Sequence, residues 1–171
     1  MTKPSLLARI MGKAYAVDIF AGAGDGRCTN QGISTWISAP DDATASGCAY
    51  TSAGGAIAGT GAGEHTAQTN VFSIFRHFYP FDTSSIPANA KITSASVNLY
   101  VISVINGDND GDDWFNVFQS SQATHTTLAL ADFDTIATTT EGSTRIDIGS
   151  ISTSAYNVWT LNASGLTWIA K

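Results

Sequence analysis

The densest group of side chains able to do chemistry is the acidic segment Asn106–Asp113, with the sequence NGDNDGDD. Carboxylates at alternate positions of a tight loop can turn their oxygens toward one hard cation, and calcium takes such ligands. Asp108, Asp110 and Asp112 are the candidate metal ligands, so Ca²⁺ is the one cofactor that the sequence suggests. The spacing departs from an EF-hand, because the twelfth position counted from Asp108 is Gln119 and not glutamate. The alternative is a solvated acidic hairpin tip that discourages edge-to-edge strand pairing.

The chain has two cysteines, Cys28 and Cys48, and both lie in sequence rich in Gly, Ser and Ala. No CxxC motif and no neighbouring histidine accompanies them, which argues against a metal site. A disulfide that ties two loops together fits a protein that works in an oxidising environment. Two separate thiols, buried or on the surface, are the alternative.

The arrangement of the histidines and acids points away from catalysis. His65, His77 and His125 are far apart and form no H-E-x-x-H frame. No G-x-S-x-G nucleophile elbow occurs, and several of the 14 acidic residues fall in loop tips. The sequence therefore predicts no catalytic residue and a protein that is not an enzyme.

Aromatic residues are the remaining candidates for ligand binding. Sugar-binding sandwiches stack the C–H face of a pyranose on an exposed aromatic ring. Four aromatic residues fall at predicted strand ends, in loops or at outward positions: Trp36, Tyr50, Tyr100 and Trp114. Half-buried packing is the alternative for each, whereas Phe75, Trp159 and Trp168 are expected in a core.

The elements that position these residues are short strands. The clearest is Ile92–Ile102, where Ala95, Val97, Leu99 and Val101 alternate with polar residues and are expected to face a core. The other predicted strands are Lys13–Phe20, Ile33–Ser38, Val71–Asp82, Trp114–Ser120, Arg145–Ile148 and Tyr156–Leu161.

Loops and short helices account for the remaining segments. Ala21–Gly32 is expected to be a Gly-rich loop, and Pro40–Gly63 a long loop or a set of short edge strands. Helix is expected only as one turn at Leu128–Phe133, capped by Thr126 or Thr127, and in the tail 162–170. Seven or more short strands with Gly-rich turns predict an all-β fold: an antiparallel β-sandwich, jelly-roll-like, with one or two short helices.

Length and charge limit the class of protein. At 171 residues the chain has the size of one domain: residues 1–12 are interpreted as an N-terminal arm and 13–171 as a single β-sandwich domain. The net charge of −6 argues against nucleic acid as a partner, since phosphate binding needs a surplus of Lys and Arg.

No segment approaches the roughly 18 apolar residues of a membrane span. Arg9 interrupts the N-terminal apolar stretch, which makes it a poor signal peptide.

One central run departs from generic β-sequence. Arg76–Tyr100 has an Arg-bearing strand ending in Phe81-Asp82, a turn with Ile86-Pro87, and a strand over Ile92–Leu99. It resembles the core signature of disaggregatase-related repeat (DNRLRE-type) domains, and Tyr156–Asn162 resembles the late strand of that family. The resemblance implies a β-sandwich akin to carbohydrate-binding modules, found in phage and uncultured-bacterium surface proteins. It implies no catalytic set.

Composition and resemblance together predict a surface role. Low charge, abundant Ser, Thr, Gly and Ala, and no visible export signal favour a virion component released by lysis. The leading hypothesis is a non-catalytic structural or decorating module of an extracellular assembly, such as a phage tail, fibre or capsid. The alternative is a carbohydrate-binding module of a secreted hydrolase or adhesin, with surface glycans as its ligand. Either function places the chain on a virion surface or outside the cell.

The end of the chain suggests what its partners are. Domains of the resembled family continue for two more strands, whereas this chain ends at Lys171. An open sheet edge invites pairing with another chain. We therefore expect a homo-oligomer or a scaffold-docked module, in which Pro40–Gly63 or the termini contribute contacts.

The calcium hypothesis predicts a metal-dependent melting temperature. If Asp108, Asp110 and Asp112 hold Ca²⁺, adding calcium raises the melting temperature, because the ion binds the native state in preference to the unfolded chain. Asp110→Ala abolishes the rise. Thermal melts with and without millimolar calcium test this, and an unchanged melt leaves only the solvated tip.

Overall fold

The chain folds as antiparallel β-sheets joined by long connections, which confirms the all-β prediction. A computed structural model describes residues 5–10, 15–33, 42–51, 62–64, 72–105, 113–137 and 139–171. The strands in these residues are β1 Ser5–Ile10, β2 Tyr15–Phe20, β3 Asp25–Ile33, β4 Gly47–Thr51, β5 Ala62–Glu64, β6 Phe72–Phe78, β7 Ile92–Leu99, β8 Trp114–Phe115, β9 Ile146–Asp147 and β10 Asn157–Thr160. Helix within them is limited to two 3₁₀ turns, Leu130–Thr135 and Ile148–Ser150, and to α1, Ala163–Thr167.

The described strands belong to two compact units, where the sequence suggested one domain over 13–171. The first unit comprises Gly22–Pro80 and Ser120–Ile136. The second unit comprises Thr2–Ala21, Phe81–Gln119 and Ala137–Lys171. Each unit has its own sheet and its own buried core.

The second unit is built on a four-stranded antiparallel sheet in the order β10-β7-β1-β2. Along β7 the expected alternation holds over Ser94–Val97, since Ala95 and Val97 are buried whereas Ser94 is exposed and Ser96 is half-buried. Strand β1 lies inside this sheet, paired with both β7 and β2, although the sequence suggested an arm over residues 1–12. Strand pairing is a long-range property, so the residues of this segment alone do not reveal it.

The core of the second unit centres on Trp159. Its ring is 4% exposed, and its indole N–H donates to the Phe115 carbonyl at 3.2 Å, so the one polar atom of the ring is satisfied. The other buried apolar residues of this core are Ile19, Ile86, Ala90, Ala95, Val97 and Leu161. The C-terminal helix α1 begins at Asn162, whose side chain accepts a hydrogen bond from the Gly165 N–H at 3.0 Å. The prediction of a short helix in the tail is confirmed.

The first unit is built on a second four-stranded antiparallel sheet, in the order β4-β3-β6-β5. Strand β3 lies inside it and covers most of the segment that was expected to be a loop, so that expectation is wrong for Asp25–Gly32. Gly26 explains the error. A Cβ at this position would come within 2.2 Å of Leu128 Cδ1 and 2.6 Å of the Ala49 carbonyl, so the glycine permits close packing and marks no turn.

A disulfide joins the two cysteines of this unit. Cys28 on β3 and Cys48 on β4 are direct cross-strand partners, so the bridge connects two strands of one sheet and not two loops. Cys28 is completely buried in the core with Ile74, Phe78 and Phe133. Closing a loop of this length removes unfolded-state entropy worth about 3 kcal/mol in the chain-entropy treatment.

The 3₁₀ turn of the first unit covers Leu130–Thr135 and begins after Ala129, so Thr126 and Thr127 do not cap it. Asp132 takes over the role of the cap. Its carboxylate accepts the Ala129 N–H at 2.7 Å and the Ala123 N–H at 2.9 Å. These hydrogen bonds tie the segment that precedes the turn to Asp132, and the next residue, Phe133, is fully buried in the core.

Two glycines of the first sheet give a matched test of this packing. Gly26→Ala is expected to lower the free energy of unfolding by about 1–3 kcal/mol, because the new methyl overpacks a filled core. Gly47→Ala is the control, since a Cβ at Gly47 meets nothing within 4 Å. Chemical denaturation of both variants measures the difference, and equal stability would contradict the packing described for β3.

Candidate functional site

The structure describes three of the four aromatic residues that the sequence offers as ligand-binding candidates. Trp36 and the proposed calcium ligands Asp108, Asp110 and Asp112 lie outside the described residues. Tyr50 belongs to the first unit and is 45% exposed, whereas Tyr100 and Trp114 belong to the second unit. In the part of the chain that the structure describes, no three His, Cys, Asp or Glu side chains converge as metal ligands do.

Tyr100 is one member of an aromatic pair. Its ring meets that of Tyr156 edge-to-face, with 5.7 Å between the centroids and 79° between the planes. The two rings are 43% and 40% exposed, so the pair lies at the surface. Sequence reasoning missed Tyr156, because the two residues come together only through the pairing of β10 with β7.

Two further apolar residues lie on the same face of the second unit's sheet as the tyrosine pair. Val158 pairs with Asn98, and Ser5 on β1 pairs with both Asn98 and Phe20. Directly opposed residues share a face, so Val158 and Phe20 lie on one face, and Tyr100 and Tyr156 lie two residues further along it. We call these four residues, Phe20, Tyr100, Tyr156 and Val158, the aromatic face.

The aromatic face is exposed, and its four residues are uncharged. Val158 is 50% exposed and Phe20 is 53% exposed, both unusually high for large apolar side chains. The strands that carry them are three spacings apart, which is about 14 Å. Asp18 on β2 is a charged residue on the same side of the sheet, and the strand register places Arg9 of β1 there as well.

Trp114 has a different environment. The Arg145 guanidinium lies 3.6 Å from the centroid of its ring, and the same guanidinium pairs with Glu141 at 2.5 Å. Trp114 is 39% exposed, but one of its faces is already covered by a cation. A sugar could therefore stack on the opposite face only.

A polar depression lies on the first unit's sheet, with a volume of about 490 Å³. Its described lining consists of Arg27, Thr29, Gln31, Ser46, Gly47, Cys48 and Ala49. The Arg27 guanidinium lies 5.5 Å from the centroid of the Phe75 ring, which supports it from β6. Tyr50 is two residues from Cys48, so the two residues share a face of the sheet. That face is opposite the one that carries Arg27 and Thr29.

The first unit also holds a tyrosine that stays neutral over a wide pH range. Burial and, to a smaller extent, the nearby Asp25 carboxylate together raise the pKa of Tyr79 from 10.0 to about 12. The Tyr79 hydroxyl lies 3.3 Å from His77 Nδ1. A phenol with a raised pKa is a poor general base at neutral pH, so this group has the character of a structural residue.

Comparison with known proteins gives no match: no family model, no curated protein and no solved structure matches the chain. No helix among the described residues is long and apolar enough to cross a membrane. The function is therefore argued from the surfaces described above.

The raised pKa of Tyr79 predicts a loss of stability at high pH. The folded state favours the neutral phenol, so this contribution to stability is complete below pH 10 and is lost as the pH rises through about 12. In a spectrophotometric titration, Tyr79→Phe is expected to remove the tyrosine that ionises last. Tyr50→Phe, which removes an exposed phenol of the same unit, is the control and leaves that component in place.

Proposed function

We propose that the chain is a non-catalytic surface module that works outside the reducing cytoplasm and is held in an extracellular assembly through its aromatic face. A phage particle, in which the module has a structural or decorating role in tail, fibre or capsid, is the assembly that the composition favours. The observation that carries the proposal is the aromatic face itself. Large apolar side chains clustered on an open surface mark a place where another molecule binds.

The chemistry of the aromatic face favours a protein partner. Protein interfaces are enriched in Tyr and Phe and depleted in Lys and Glu, and this face carries neither Lys nor Glu among its described side chains. Tyr100 and Tyr156 lie at 79° to each other, so they offer no flat platform on which a sugar could cover both rings. The geometry fits side chains that interdigitate better than it fits a stacked saccharide.

The partner that fits best is a second copy of this chain. With a net charge of −6, two copies repel each other, and the repulsion is least where a surface carries little charge. The aromatic face is such a surface. In a symmetric dimer the same patch occupies both sides of the interface, so an apolar patch is complementary to itself.

The disulfide supports the proposed location. Structural disulfides persist outside the cell and on virion surfaces and are rare in reducing compartments. Because Cys28 is fully buried, the bridge is part of the first unit's core.

Light scattering coupled to gel filtration tests the assembly. The wild-type chain is expected to self-associate as its concentration rises. Val158→Asp is expected to weaken that association at least roughly tenfold, because like charges are brought together across a symmetric interface. Ile105→Asp is the matched control: it adds the same charge at an aliphatic residue that is 88% exposed outside the face, and it leaves the association unchanged.

Two results would overturn this proposal. One is a wild-type chain that remains monomeric at every concentration reached. The other is self-association that Val158→Asp leaves intact.

A carbohydrate-binding module is the second candidate function, and the polar depression of the first unit favours it. That depression has the size of a small-molecule site, in which a few polar groups fix the orientation of a ligand.

A further inference from the structure

We infer that the disulfide between Cys28 and Cys48 is a redox switch that holds strand β4 in place, and that a small thiol opens it by attack on the Cys48 sulfur. The co-reactant is a low-molecular-weight thiol for opening and the corresponding disulfide for closing. This inference goes beyond the proposed function, and it holds whether or not the aromatic face self-associates.

The two sulfurs of the bridge differ in access. Cys28 lies on β3, an inner strand of its sheet, and is completely buried, whereas Cys48 lies on the edge strand β4 and is half-buried. The Ala129 carbonyl oxygen contacts both sulfurs. Its contact with Cys48 Sγ, at 3.3 Å, is exposed, and its contact with Cys28 Sγ, at 3.6 Å, is partly buried. A thiolate from solvent therefore reaches the Cys48 sulfur first, and access decides which sulfur is attacked.

The exchange balances as two successive displacements. The first thiolate bonds to Cys48 Sγ and breaks the bond to Cys28 Sγ, which leaves as a thiolate and takes a proton from solvent. The second thiolate attacks the sulfur of the bound small molecule, releases Cys48 as a thiolate and leaves as a small-molecule disulfide. Two electrons pass from two thiols to the bridge, and the reverse sequence, with the small-molecule disulfide as oxidant, closes it.

The bridge anchors β4 to the core of the first unit. In the part of β4 whose side chains the structure describes, residues 47–50, Cys48 is the one that packs against this core. Gly47 has no side chain, and Ala49 and Tyr50 are exposed. The hydrogen-bond ladder to β3 remains after reduction, but each hydrogen bond exchanged against water contributes little net stability. Opening the bridge therefore allows β4 to separate from β3.

The effect of the switch is confined to the first unit. Both cysteines of the chain belong to that unit, so reduction breaks no covalent bond in the second unit, which has its own sheet and its own core around Trp159. Residues 46–49 line the polar depression, so the loss of β4 removes one wall of it. A chain made in a reducing compartment therefore completes its first unit only when it reaches an oxidising one.

Peptide-resolved hydrogen exchange on the intact chain tests the release of β4. The oxidised chain and the chain reduced with dithiothreitol are compared under native conditions. The amides of β4 are expected to exchange at least roughly tenfold faster after reduction, because the covalent closure of the loop between the two cysteines is lost. The amides of β7 and β10 in the second unit are expected to keep their protection.

Cys48→Ala is the matched control for the reductant. This variant cannot form the bridge, so its β4 amides exchange fast whether or not dithiothreitol is present. The inference is overturned if β4 of the wild-type chain keeps its protection after reduction. It is also overturned if β7 and β10 lose protection to the same extent as β4.

Two single-cysteine variants test which sulfur reacts. Cys28→Ala and Cys48→Ala each keep one thiol and cannot close the bridge, so glutathione disulfide converts that thiol into a stable adduct that mass spectrometry follows. Cys28→Ala is expected to react at least roughly tenfold faster, because a buried thiol reacts only when the unit opens. The side chains that bury Cys28, Ile74, Phe78 and Phe133, do not belong to β4 and remain in the other variant. Equal rates, or faster reaction of Cys48→Ala, would contradict attack at Cys48.

Discussion

The alternation of side chains along paired strands is the constraint on which both units depend. Because the period is two, the register that buries one residue also decides which neighbours face solvent. In the first unit, the pairing that sets Cys28 opposite Cys48 in the core leaves Arg27 and Thr29 on the other face, beside the depression. In the second unit, burial of Trp159 on β10 leaves Val158 on the outer face. Core and candidate binding surface are therefore two sides of the same strands.

Side-chain hydrogen bonds to the backbone organise the connections between these strands. Asp132 is buried, and it accepts two backbone N–H groups that lie before the 3₁₀ turn. Asn157 has a similar role in the second unit. Its amide oxygen accepts a hydrogen bond from the Ser152 N–H at 2.8 Å, and its NH₂ group donates to the Ser152 carbonyl at 2.9 Å. In these two described connections, short polar side chains satisfy backbone groups that no strand or helix pairs.

The two candidate surfaces differ in chemistry. The aromatic face offers exposed rings and an aliphatic side chain. The depression is lined by hydroxyl and amide groups and by a guanidinium that rests on an aromatic ring. Each surface lies on a sheet, where the backbone ladder holds its residues at fixed spacings.

The sequence by itself determined the strands whose pattern is local. Period-two alternation in Ile92–Leu99 and Asn157–Thr160, and the short C-terminal helix after Asn162, follow from residue types within one window. The sequence also supplied the exposed Tyr100 as a binding candidate. Its composition indicated an all-β chain, because turn formers and β-branched residues outnumber strong helix formers.

Only the tertiary structure decided which segments lie side by side. Asp25–Gly32 looked like a loop because a glycine such as Gly26 has the same type whether it bends a turn or admits Leu128 against the backbone. Tyr156 is a candidate only because strand pairing places its ring against that of Tyr100, which is 56 positions earlier in the chain. The depression exists because Gly47 on β4 lies beside Thr29 on β3. The physical reason is common to all three. Strand pairing joins residues that are distant in sequence, so its consequences for packing and binding are absent from any local pattern.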